Sequence, residues 1–136
     1  ANNEEIDLSN RGMLLWGNMT GTYASALEGN SSSNINQANR LTHVNYMESH
    51  DEERQMVELL NKGQERGSYD IKDLDVALNR AKMGAAFFYT VPGPKMLWQF
   101  EELGYDKSIN YCQNGTISNS CRLDLKPLPW GPNGLN

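Results

Sequence analysis

The sequence predicts an α/β fold in which parallel strands are joined by helical crossovers. Short runs rich in apolar, aromatic and β-branched residues recur at 13–16, 42–47 and 95–100. Each interval between them carries a helical periodicity. Crossovers of that length suit parallel neighbours, in a right-handed βαβ succession, whereas antiparallel neighbours need only short hairpins. Three parallel strands leave faces and edges uncovered, so the expected arrangement is part of a larger α/β fold.

Each element follows from its residues in turn. Residues 1–11 are polar and read as a lead-in. Met13-Leu14-Leu15-Trp16 is a short apolar run, expected as a buried strand. Met19, Tyr23 and Leu27 then fall at i, i+4 and i+8 on one helical face, and Gly29 ends that helix. Asn30-Ser31-Ser32-Ser33-Asn34 is a loop by composition. Residues 42–47 alternate β-branched and aromatic with polar residues, as a strand does. From Glu52 to Asn61 a helix is expected, with Met56, Leu59 and Leu60 to one side and Glu52 and Glu53 near the positive end of its dipole. Gly63 and Gly67 mark a loop. Asp70 is the expected N-cap of a longer helix whose apolar face is Leu74, Ala77, Leu78 and Ala81 and which runs toward Phe87-Phe88-Tyr89. Pro92-Gly93-Pro94 must break it. Lys95 to Phe100 reads as a third strand. Residues 105–136 form a turn-rich region carrying Pro127, Pro129 and Pro132.

At 136 residues the chain can form one domain with a hydrophobic core. Its net charge of −5 and the lack of a basic stripe argue against a nucleic-acid partner. No run approaches the length of a membrane span. The first residue is Ala, as processing or excision would leave it. Cys112 and Cys121 lie nine positions apart and match no zinc spacing. A disulfide and two free thiols both remain open, and a bridge would favour an exported protein.

The densest polar cluster is Glu48-Ser49-His50-Asp51, at the end of the second strand and the start of a helix. In α/β proteins ligands collect at the carboxyl ends of strands. From spacing alone, His50-Asp51 also fits a helix N-cap. Arg54 is expected in a surface pair with Glu53 or Glu101. Glu101 and Glu102 are adjacent and point apart, which makes them a poor acid–base pair and favours a structural role. Asp70, Asp73 and Asp75 lack the spacing of a calcium loop. His43 reads as an ordinary packed or capping histidine. Of the three tryptophans, Trp130 is the candidate sugar platform, and Trp16 and Trp98 read as core.

Several of these segments resemble blocks of the α-amylase superfamily of glycoside hydrolases. Glu48-Ser49-His50-Asp51 resembles the strand-end block in which a His and an Asp reach the sugar at the scissile bond. Val91-Pro92-Gly93-Pro94-Lys95-Met96-Leu97-Trp98 resembles the Pro-Gly-x-Pro turn and last barrel strand. Phe100-Glu101-Glu102-Leu103-Gly104 is similar to the segment that follows, with Phe100 replacing the usual small residue. Arg122 and Lys126-Pro127-Leu128-Pro129-Trp130 resemble a Pro- and Trp-containing loop beyond it. The resemblance covers roughly residues 12–131. It implies a partial TIM-type (β/α)8 barrel: residues 12–104 would be about the last three βα units.

The resemblance further implies activity on α-linked glucans such as starch or glycogen, by a retaining mechanism. Asp51 would stabilise the oxocarbenium-like transition state without attacking or donating a proton. His50, Glu48 and Trp130 would bind substrate. No cofactor is expected in these residues, although calcium occurs in the intact family. The family's nucleophile and acid come from a Gly-Phe-Arg-x-Asp block and a separate Glu block, neither of which occurs here. The isolated chain is therefore expected to be inactive and to self-associate through its uncovered edges. Glucan branching or transfer is the close alternative, and a non-catalytic carbohydrate-binding or interaction module is the reading from another class.

Overall fold

A computed structural model describes residues 3–30 and 42–131. Residues 31–34 of the expected loop, and Pro132, lie outside the described residues. The chain is mixed α/β. Strand β1 (Leu15–Asn18) pairs in parallel with β2 (His43–Tyr46), with Leu15 opposite His43 and Asn18 opposite Tyr46. Helix α1 (Asn3–Asn10) precedes the pair and helix α2 (Thr20–Leu27) follows β1. Helix α3 (Gln55–Lys62), a small antiparallel hairpin of β3 (Glu65–Arg66) and β4 (Tyr69–Asp70), and the long helix α4 (Leu74–Thr90) come after β2.

The helices pack because their apolar residues recur at helical spacing. Tyr23 of α2 meets Phe88 of α4 edge to face at 5.3 Å, beside Met19 and Met47. A second cluster joins Leu27, Met56, Leu59, Ile71 and Ala77. On α4 the buried positions are Ala77, Gly84 and Phe88. Leu74, expected on that face, is exposed because it is the first residue of the helix. Arg80 reaches from α4 to the last carbonyls of α2, donating through Nε to Leu27 O and through Nη2 to Ala26 O at 3.1 Å. This supplies donors and positive charge where a helix C-terminus lacks partners.

Several sequence expectations change. The first strand begins two residues later than expected, and Met13, Leu14 and Trp16 are exposed. Gly17 lies inside β1. A Cβ there would sit 2.3 Å from Asn45 Oδ1 and 3.1 Å from His43 Cβ, so only glycine lets β1 approach β2 this closely. The polar lead-in is a helix without buried residues. The third strand shrinks to a single parallel bridge, Asn45 to Lys95. Asn45 N–H donates to Pro94 O at 3.1 Å and Asn45 O accepts from Met96 N–H at 2.9 Å. Phe100 then takes a left-handed backbone (φ 68°), which ends the extended run and leads into a 3-10 turn, Glu101–Leu103. A bulky residue at that φ is strained. The shared direction of β1, β2 and residues 94–96 is therefore present, in a sheet far narrower than a barrel.

The carboxyl-terminal region is turn-rich, as expected, and pinned to the rest. Tyr105 is buried and its hydroxyl donates to Pro127 O at 2.5 Å. Cys112 and Cys121 form a disulfide. Lys126 Nζ donates to Tyr111 O at 3.0 Å and to Cys121 O at 2.6 Å, stitching the bridged loop to the chain beyond it.

Candidate functional site

The site is built by the segment that leaves β2. Met47, Glu48 and Ser49 are buried, and His50 and Asp51 emerge, with side chains 73% and 64% exposed. Helix α3 does not start at Glu52 as expected. It starts at Gln55, after Arg54 in an extended conformation, and Asp51 caps nothing. Glu48 performs that work from inside: its Oε1 accepts Gln55 N–H at 2.7 Å and its Oε2 accepts Arg54 Nη1 at 3.1 Å. Arg54 Nη1 also donates to Gln99 O at 2.9 Å, and the guanidinium lies 5.0 Å over the Tyr105 ring. Gln55 Nε2 donates to Met47 O at 2.9 Å and Thr20 O at 3.1 Å. Residues 48–54 are thus a loop held rigidly at both ends, with its middle facing outward.

The middle is fixed by side chains from three directions. Ser49 Oγ accepts Asp51 N–H at 3.1 Å and donates to Glu52 Oε2. Asn18, at the end of β1, donates through Nδ2 to Glu52 Oε1 at 2.5 Å, joining the two strand ends. Glu53 accepts from Ser108 Oγ at 2.6 Å and from Ile109 N–H at 3.0 Å. Asp51 itself is held by Arg122, whose Nη2 donates to Asp51 O at 2.5 Å and to Oδ1 at 3.0 Å, and His50 Nε2 stands 3.3 Å from Oδ2.

A cleft of about 290 Å³ opens beside this loop. Ser49, His50 and Asp51 form its polar wall, and Trp16, Tyr46 and Trp98, with Met96, form its aromatic and apolar wall. Trp98 lies 5.8 Å from the His50 ring, and Trp16 meets Tyr46 edge to face at 5.7 Å. A larger cavity of about 320 Å³ contains none of these residues. Leu27, Met47, Ala81, Ala85 and Leu97 make it almost wholly apolar, with Tyr89 and Glu101 at its wall. The cleft, with its convergent polar groups, is the better candidate site. In the cavity wall, burial raises the Glu101 carboxyl to about 8, with the nearby Glu48 charge adding to the effect. The same burial raises the Tyr89 hydroxyl, which donates to Glu101 Oε1 at 3.2 Å.

Of the residues named from the sequence, His50 and Asp51 line the cleft and others stand elsewhere. Glu48, expected at the substrate, is 1% exposed with both carboxylate oxygens taken within the chain. Burial pushes its carboxyl up from the ordinary value and Arg54 pulls it back. Arg54, expected in a surface pair, is 2% exposed and pairs with Glu48. Trp130, the expected platform, lies edge to face with Phe100 at 5.4 Å, outside the cleft wall. Trp16 and Trp98, expected in the core, line the cleft. For Trp98 the alternation of strand side chains was a usable signal, since Met96 and Trp98 share a face. Among the described residues, no three His, Cys, Asp or Glu side chains gather to hold a metal ion. No helix among them is long and apolar enough to cross a membrane.

Neither a scan against family models nor a search of curated proteins returns a match for this chain.

Proposed function

We propose that this chain is a carboxyl-terminal part of the catalytic (β/α)8 barrel of an α-amylase-type glycoside hydrolase acting on α-linked glucans. The observation that carries the reading is the pairing of His50 with Asp51 at the carboxyl end of a parallel strand, in a cleft walled opposite by Trp98, Tyr46 and Trp16. A carboxylate facing flat apolar rings is suited to a pyranose, whose CH face packs on aromatics while its hydroxyls seek acceptors. In this role Asp51 accepts sugar hydroxyls and opposes positive charge developing on the ring, as a preorganised group. His50 donates to a neighbouring hydroxyl, and Trp98 supplies the stacking surface. The nucleophile and acid of a retaining mechanism belong to blocks these residues do not contain, so turnover needs them added. The disulfide supports an oxidising compartment, hence export.

Titration of the chain with maltoheptaose, read by NMR, tests the proposal. Resonances of His50, Asp51 and the Trp98 indole are expected to move, with cellohexaose giving weaker shifts. Asp51→Asn and Trp98→Ala are each expected to weaken binding about tenfold, the loss of one charge-assisted hydrogen bond or one stacking surface. Maltoheptaose shifts confined to residues outside the cleft would reject it.

A further inference from the structure

We propose that Arg122 is the positioning residue for Asp51, and that the Cys112–Cys121 bridge is what keeps Arg122 in place. The inference rests on the proposed role of Asp51 in the cleft, and adds how that carboxylate is aimed. Asp51 is exposed and sits in the outward-facing middle of its loop, where its neighbours supply Ser49 Oγ to its backbone N–H at 3.1 Å and the exposed His50 ring, 3.3 Å from Oδ2. The donor that grips Oδ1 comes from 71 positions away. Arg122 Nη2 grips both the main-chain oxygen and Oδ1 of Asp51, while His50 Nε2 faces Oδ2. Each carboxylate oxygen has more than one lone pair, so both remain open to a sugar hydroxyl while held.

An exposed ion pair carried on a free loop holds a side chain poorly, because both partners lose freedom to form it. Here that freedom is removed by covalent closure. Arg122 directly follows Cys121 and is the C-cap of the 3-10 turn Asn119–Cys121, its N–H donating to Asn119 O at 3.3 Å. The disulfide ties this turn to Cys112. A few residues before Cys112, Ser108 Oγ and Ile109 N–H bind Glu53, two positions from Asp51. The result is a closed ring that runs from Asp51 to Arg122, across the disulfide, back through residues 108–112 to Glu53, and so to Asp51 again. Lys126 Nζ spans the ring's bridged side by bonding Tyr111 O and Cys121 O. A restraint of this kind removes alternatives from the loop without adding a contact to the ligand. Both bonds leave one guanidinium nitrogen, whose two N–H groups lie in the fixed plane of the guanidinium, whereas a lysine ammonium in the same place would rotate freely.

The test combines the carboxyl 13C resonance of Asp51 with maltoheptaose affinity in the oxidised wild-type chain, Arg122→Ala, Arg122→Lys and the Cys112→Ser/Cys121→Ser double variant. The first two variants keep the bridge, so a folding failure of the double variant leaves the question answerable. Expected are a displaced Asp51 carboxyl resonance and about tenfold weaker binding in Arg122→Ala, the loss of charge-assisted bonds. The double variant should match it and Arg122→Lys should recover part of both signals. Unchanged affinity and an unmoved Asp51 resonance in Arg122→Ala would overturn the inference while leaving the glucan reading intact. If the wild type binds no maltoheptaose, the glucan reading falls and the 13C signal decides alone. Displacement in both Arg122→Ala and the double variant then supports the positioning role, and an unmoved resonance in either refutes it.

Discussion

Arg54 is the residue whose environment most changes its meaning. Its guanidinium is buried against Glu48, Gln99 O and the Tyr105 ring, so its removal leaves a carboxylate in the interior with no cation. Breaking one side of a buried pair costs about 3–5 kcal/mol, far more than an exposed pair is worth. Arg54→Met is expected to lower the unfolding free energy by that amount, read from urea denaturation, and Glu48→Gln/Arg54→Met to regain much of it. A single variant within about 1 kcal/mol of wild type would show the pair to be dispensable. Glu101 makes a second prediction, with the opposite sign from most carboxylates. Its folded pKa is raised from 4.5 to about 8. The folded state therefore holds a proton that the unfolded chain releases. Stability from this group is complete below pH 4.5, declines as pH rises, and is gone above about 8. Glu101→Gln keeps a neutral side chain of the same shape. It is expected to leave Tm nearly unchanged at pH 5 and to raise it at pH 9, and equal shifts at both pH values would contradict the burial argument.

At the scale of elements, α4 shows which local signals can be trusted. The sequence places the cap at Asp70, and the structure uses Asp73 instead: its Oδ1 accepts Asp75 N–H at 3.0 Å and Val76 N–H at 3.2 Å. Asp70 Oδ1 instead closes a turn on Lys72 N–H at 2.9 Å. Asp73→Ala is expected to cost about 1 kcal/mol, and Asp70→Ala about half that or less, by thermal denaturation. The reverse order would mean the helix begins earlier. Periodicity made α2 and the body of α4 legible, because there the apolar spacing matches the face that is buried, and β2 was legible from its β-prone composition although its polar His43 and Asn45 are buried while Val44 is half-buried. Periodicity failed where burial does not decide. Helix α1 has no apolar face to reveal it, and β3 and β4 are two residues each around Gly67, too short to alternate. The site divided in the same way. His50 and Asp51 were legible as a polar cluster after a strand, whereas Glu48 looks like their equal in sequence and only the fold turns both its oxygens inward. Trp16 was misread because an apolar run suggests a core, and nothing local shows that its outer face lacks a covering layer.

That missing layer governs the whole molecule. A parallel sheet is ordinarily covered on both faces, and two strands with one further bridge fall short of an independent sheet. Among the described residues β1 pairs only with β2, while Met83 and Phe87, four apart on α4, are exposed, as are Leu97 and Leu103 after it. Two large apolar side chains one turn apart on an exposed helix face are what a partner surface would cover. The isolated chain is accordingly expected to self-associate. Light scattering after size-exclusion chromatography should give a mass above the 15.3 kDa of one chain, rising with loading concentration. Phe87→Lys places a charge on that helix face at an exposed position outside both hydrophobic clusters, so it should lower the mass without lowering helix content. The disulfide variant supplies an independent control, because the bridged region carries none of these four residues. A mass that stays at one chain across the concentration series would mean that α4 and the strand edge are stable in water as they stand, and the expectation of uncovered surfaces seeking a partner would fail with it.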